Sequence, residues 1–145
     1  PSAWHKRWQT YLETLGAKRE VFLTRDGEIH RADAVMPNGT VVELQCSGIS
    51  VPEIRKREAF YGDMIWVFDA QAAYKSTRLE LRPRGEYLSF RWKHPKKTIA
   101  HATAPVRLDL GSGKVFDLRK MSKETPCGGW GKLKFVLELL GGSDA

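Results

Sequence analysis

Asp33, Glu43 and Gln45 stand out in the stretch RADAVMPNGTVVELQCSGIS, because they interrupt two otherwise apolar runs and Arg31 precedes the first acid by two positions. Two carboxylates held side by side repel each other, and a divalent cation between them removes that cost. An amide nearby can orient a water through hydrogen bonds, although it brings no charge. The same residue types also make an ordinary solvated strand face. What decides between metal chemistry and a wet surface is how the chain positions them.

The two runs read as strands, roughly residues 29 to 36 and 40 to 46, joined by a tight turn. Side chains alternate along a strand, so Glu43 and Gln45 share one face and Val42, Leu44 and Cys46 the other. The turn then sets the register. A two-residue Asn38-Gly39 turn would put Asp33 opposite Leu44. Met36-Pro37-Asn38-Gly39 better fits a type I turn with Pro at its second position and Gly39 in the left-handed region. That loop pairs Met36 with Thr40, hence Asp33 with Glu43 and Arg31 with Gln45.

The elements around this hairpin follow from spacing. WHKRWQTYLETLG has helical periodicity at Trp4, Trp8, Tyr11, Leu12 and Leu15, with Gly16 as a stop. His5, Gln9 and Glu13 lie one turn apart on a neighbouring face. A strand is expected from Glu20 to Leu23, followed by an Arg-Asp-Gly turn. Ser50 with Glu53 forms a capping box for a helix through VPEIRKREAFYG, with Pro52 tolerated in its first turn. MIWVF is a continuous apolar run, as in a strand buried on both faces, so a right-handed parallel crossover is expected. Beyond it, YLSFRWK alternates with Leu88, Phe90 and Trp92 inward. VRLDLGSGKVFDL reads as a hairpin turning at Gly111 to Gly113, and GKLKFVLELLGG as a short apolar helix. The reading is one α/β domain over 1–145: a core at 1–70 with the hairpin at 29–46, then a β-rich extension at 71–145 ending in that helix.

Composition narrows the class. The chain has 145 residues with 24 Lys and Arg against 17 Asp and Glu, a formal charge of +7. Such a surplus on a small domain favours a polyanionic partner such as nucleic acid, and is also compatible with plain solubility. Cys46 and Cys127 make neither a disulfide framework nor a metal-ligand cluster, which suits a reducing cytoplasm. No apolar run approaches membrane-spanning length, and nothing at the start resembles a signal peptide. The chain opens at Pro1, as a processed product or an excised piece would.

Asp33 followed by Glu43-Leu44-Gln45 on adjacent strands, with a helix before and a crossover after, is similar to the PD-(D/E)xK nuclease arrangement. More narrowly, the chain resembles the competence-protein CoiA-like nuclease family. The matching features are Arg31-Ala32-Asp33, Asn38-Gly39, Glu43-Leu44-Gln45, Ser47 to Ser50, Arg57 to Tyr61 and Trp66-Val67. The opening WHKRWQ and the later HPKKT and GGWG are similar to features of its bacterial members. The likeness is dense over residues 30 to 68 and sparse elsewhere.

The resemblance implies a restriction-endonuclease-like mixed sheet with flanking helices, and metal-dependent cleavage of DNA phosphodiesters. Asp33 and Glu43 would hold Mg²⁺ or Mn²⁺ with the substrate phosphate and waters, and Gln45 would orient a water. A lysine usual in the wider superfamily is replaced here by Gln45, as in the CoiA-like group, so a positive charge is missing. Arg31 is the preferred source on register, as a catalytic group or as a structural partner of Asp33; Lys96 or Lys97 of the HPKKT loop is the other. His5 is expected either to orient the attacking water or to bond solvent on the helix surface. Superfamily members often work as homodimers, which leaves that state open here.

Basic residues that could grip a DNA backbone are Arg55 and Arg57 on the crossover helix, and Arg91, Lys93, Lys96 and Lys97 on a later strand and its loop. Tyr61, Trp66 and Trp92 read as core, whereas Trp130, set among glycines, is the tryptophan expected to be exposed. A catalytically idle nucleic-acid-binding module on the same scaffold is the alternative function.

Overall fold

A computed structural model of the chain describes residues 1–136. Helix α1 (Ala3–Thr14) begins where Ser2 accepts a hydrogen bond from the His5 N–H, satisfying one of the helix's unpaired amides. Strands β1 (Lys18–Arg25), β2 (Glu28–Val35) and β3 (Val41–Gln45) follow. Helix α2 (Val51–Tyr61) is capped by Ser50, whose hydroxyl accepts from the Glu53 N–H. At its other end, Arg25 donates to the carbonyls of Phe60 and Tyr61, where cations are favoured.

The chain continues through β4 (Met64–Asp69), α3 (Gln71–Lys75), β5 (Leu79–Arg84) and β6 (Tyr87–Trp92). A 3-10 turn (Lys97–His101), β7 (Val106–Gly111), β8 (Lys114–Met121) and β9 (Gly128–Phe135) follow. The nine strands of the described residues form one sheet in the order β1-β2-β3-β4-β7-β8-β9-β6-β5, so the same sheet runs through both halves of the chain. The pairs β3–β4 and β4–β7 are parallel and the other neighbours antiparallel. The architecture is therefore mixed α/β, with a mostly antiparallel sheet and few helices.

The expected crossover β3–α2–β4 is present, and β4 explains its own apolar run. Trp66 and Phe68 face a core shared with Ile54, Phe60 and Tyr61 of α2, while Val67 faces the core beneath α1. Helix α1 is also anchored by polar bonds. Asp109 on β7 accepts the indole N–H groups of Trp4 (2.7 Å) and Trp8 (2.9 Å), and the Gly111 N–H. Asp109→Ala would strand two buried donors, so a urea-midpoint loss equivalent to about 2–5 kcal/mol is expected.

Two differences from the sequence reading concern the second half. GKLKF does not open a helix: Gly131 to Phe135 belong to β9, paired with β8 and β6. The period-two pattern of GKLKF prevails over the apolar content of the run, whose remainder beyond residue 136 lies outside the described residues. Strand β5 and helix α3 were not expected. Pro83 sits in β5 because that strand is a sheet edge, where a missing N–H costs no ladder bond. Cys46 and Cys127 are both free and exposed. Among the described residues, no helix is long and apolar enough to cross a membrane.

Candidate functional site

The turn between β2 and β3 has the expected chemistry. Gly39 lies at φ +93°, its N–H donates to the Met36 carbonyl, and the Met36 N–H donates to Thr40. Ladder pairs Val35–Val41 and Ala34–Val42 continue that register. One step further, Asp33 meets Glu43, and there the ordinary ladder stops. The carboxylates take over its hydrogen bonds: Glu43 Oε2 accepts the Asp33 N–H at 3.0 Å, and Asp33 Oδ2 accepts the Leu44 N–H at 2.8 Å. On the other side of β2, Glu20 at φ +53° interrupts the β1 ladder opposite Asp33. Polar groups thus occupy a gap in the sheet rather than a solvated face.

Both flanking helices reach into this gap. From α1, the buried Gln9 amide donates to the Asp33 carbonyl at 2.9 Å. His5 places Nε2 3.3 Å from Asp33 Oδ1, out of line for a hydrogen bond, so this buried nitrogen has no hydrogen-bond partner. From α2, Arg57 Nη1 lies 3.3 Å from Glu43 Oε1, while Arg57 Nε donates to Glu53 at 2.8 Å. The site thus lies where α1 and α2 both meet the parting strands.

Burial dominates the electrostatics. The Glu43 side chain is only 4% exposed. Desolvation first, and the Asp33 charge second, push its carboxyl up to about 7, against the opposing pull of the Asp33 N–H and Arg57. Desolvation also raises Asp33, partly offset by the Leu44 N–H and the charges of His5 and Arg57. Each proton lost from the pair leaves an under-solvated negative charge, the condition under which a cation is held. The donors are hard oxygens, suited to Mg²⁺ or Mn²⁺. Among the described residues, no group of three or more His, Cys, Asp or Glu side chains is disposed to hold a metal. A cation at this pair would therefore draw its remaining ligands from substrate phosphate and water.

The other site candidates divide. Arg31, expected to face Gln45, instead lies 56% exposed with Nη1 3.8 Å from Glu20, because β2 and β3 have parted before its level. Arg57, expected on a DNA-facing surface, is the cation beside the carboxylates. Its signal was present in the sequence: Glu53 and Arg57 are one helical turn apart on the helix that crosses from β3 to β4. The Gln45 amide turns to Ser47 and Gly48 of the following loop, at 3.3 to 3.5 Å, rather than toward the acids. Lys96 reaches the strand ends without touching a carboxylate, donating to the carbonyls of Cys46 (3.2 Å) and Asp69 (3.1 Å). Burial pushes its ammonium pKa down. Arg55, Arg91, Lys93 and Lys97 are exposed, so they are not gathered into the gap. Tyr61, Trp66 and Trp92 are core, and Trp130 is 36% exposed.

Compared with known proteins, the chain matches no family model, no curated protein and no solved structure. The CoiA-like resemblance rests on its own residues, chiefly those between 30 and 68.

Proposed function

We propose that this protein is a metal-dependent nuclease that hydrolyses phosphodiester bonds in DNA, on a restriction-endonuclease-like scaffold of the CoiA-like kind. The observation that carries the reading is the pairing of Asp33 and Glu43 in a gap between strands, where burial raises both carboxyls and the Asp33 charge raises Glu43 further. When bound there, Mg²⁺ or Mn²⁺ supplies an activated water and stabilises charge on the phosphate oxygens. Asp33 and Glu43 would hold the cation. Arg57 provides the positive charge that the amide of Gln45 lacks, and it does so from α2 rather than from the strand. His5 holds a buried ring nitrogen 3.3 Å from Asp33 with no hydrogen bond of its own, and Gln9 fixes the Asp33 main chain. The basic surplus of the chain favours a phosphate polymer as substrate.

One observation favours the alternative, a catalytically idle DNA-binding module. Arg57 and main-chain amides already engage the carboxylates, so the pair is internally partnered without a metal. Incubation of supercoiled plasmid and labelled single strands with Mg²⁺, Mn²⁺ or EDTA separates the two. Cleavage that requires metal supports the nuclease. DNA binding with no cleavage under any metal supports the idle module.

A further inference from the structure

The sequence GGWG near the end of the described chain has a steric logic that points away from the carboxylates. Gly129 and Gly131 lie on the inward side of β9. A Cβ on the first would run into the Phe90 ring and the Lys120 carbonyl, and on the second into the Phe116 ring and the Asp117 carbonyl. Only glycine permits this close approach. Trp130, between them, is therefore turned outward, where it meets Tyr87 of β6 edge-on at 5.3 Å between ring centroids. Trp130 is 36% exposed and Tyr87 41%, although large aromatic side chains are usually well buried.

Register places cations around this pair. Trp130 is opposite Ser89 on β6 and Lys120 on β8. Arg84 of β5 is opposite Tyr87 and donates to Ser89 at 3.0 Å, while Arg91 and Lys132 lie two residues along from Ser89 and Trp130 on the same outer side. Arg84, Arg91, Lys120 and Lys132 form no ion pair with another described residue. The nearby Glu80, opposite Arg91, instead approaches Arg82 at 3.7 Å. A cleft of about 320 Å³ beside Tyr87 is lined by Glu86, Tyr87, Leu88, Lys132, Leu133 and Lys134.

We infer that this outer face of β5, β6, β9 and β8 is a binding platform for single-stranded DNA, with Trp130 and Tyr87 stacking on unpaired bases and the surrounding Arg and Lys gripping phosphates. Exposed rings flanked mainly by basic side chains, with Glu80, Glu86 and Asp117 at the margins, complement a chain that alternates flat bases with anionic phosphates. A duplex offers no free base face to a sheet surface, and entry to its major groove needs a helix or a narrow ribbon. The choice of DNA over RNA rests on the nuclease reading above. The platform itself rests on β5, β6, β8 and β9, remote in sheet order from the carboxylates on β2 and β3.

The test is fluorescence anisotropy of one labelled oligonucleotide as single-stranded DNA, duplex DNA and RNA, in EDTA so that no cleavage intervenes. Wild type, Trp130→Ala, Trp130→Phe and Tyr87→Ala are compared, with circular dichroism to show that each remains folded. Wild type should prefer single-stranded DNA. Trp130→Ala should weaken that binding by ~10-fold and Tyr87→Ala similarly, with Trp130→Phe retaining most of it and duplex binding unmoved. Equal single-strand affinity in wild type and Trp130→Ala would overturn the platform, as would equal or tighter wild-type binding to duplex or RNA, or no binding at all. Cleavage in metal, assayed separately with Asp33→Asn, reports on the nuclease reading alone, so the two can fail independently.

Discussion

At pH 8 in EDTA, Glu43→Gln should be more stable than the wild type by about 2–3 kcal/mol, an unusual result for a buried substitution. The Glu43 carboxyl is raised from an ordinary 4.5 to about 7 in the folded protein, which corresponds to about 3 kcal/mol between its two protonation states. A group raised on folding binds more protons in the native state than in the unfolded chain. Its stabilising contribution is fully present below about pH 4.5 and is lost as pH rises through about 7. Asp33, raised in the same direction by burial, adds to the loss. The glutamine remains neutral throughout and can still accept the Asp33 N–H through its carbonyl oxygen. Urea titrations at intervals from pH 4.5 to 8 should show the wild type declining steeply and the variant declining less, keeping only the slope that Asp33 contributes. A flat wild-type profile, or a variant less stable at pH 8, would mean that the two acids are not in conflict.

The second large effect is on turnover. Asp33→Asn should lower metal-dependent DNA cleavage by ~10²–10³-fold, the scale on which loss of one preorganised electrostatic group acts. It should leave the fold in place, because the amide oxygen can still accept the Leu44 N–H that Asp33 Oδ2 now holds. Affinity for single-stranded DNA in EDTA should stay within about twofold, since the proposed phosphate grip lies on side chains elsewhere. Cleavage rates under single-turnover conditions, set beside anisotropy in EDTA, check both halves. A variant that cuts at the wild-type rate would remove Asp33 from the chemistry.

Much of the geometry behind these expectations was legible in local sequence. Pro37, Asn38 and Gly39 dictate one turn type, and that turn alone fixes the register that opposes Asp33 to Glu43. Ser50 announces its helix through a cap within three residues of itself. What escaped the sequence depends on distant packing. Register arithmetic put Arg31 beside Gln45, yet the strands part after Ala34–Val42 because carboxylates enter the gap, and no pairwise pattern encodes that divergence. Arg57 gained its place from the path of α2 over β3, and the Asp109 bonds to Trp4 and Trp8 link residues more than a hundred positions apart. GKLKF misled because its apolar continuation outweighed a short alternation that β8 and β6 were waiting to pair.

The most direct test of the central claim, that Asp33 and Glu43 are held together for a divalent cation, is thermal unfolding at pH 8 with increasing Mn²⁺. Wild type, Asp33→Asn and Glu43→Gln would be run side by side, each against EDTA. Ligand bound only by the folded state raises its stability by mass action, and here it also relieves the repulsion between the two acids. The account predicts a Tm that climbs with Mn²⁺ in the wild type and barely moves in either variant. A wild-type Tm indifferent to Mn²⁺, or an equal rise in all three proteins, would contradict it.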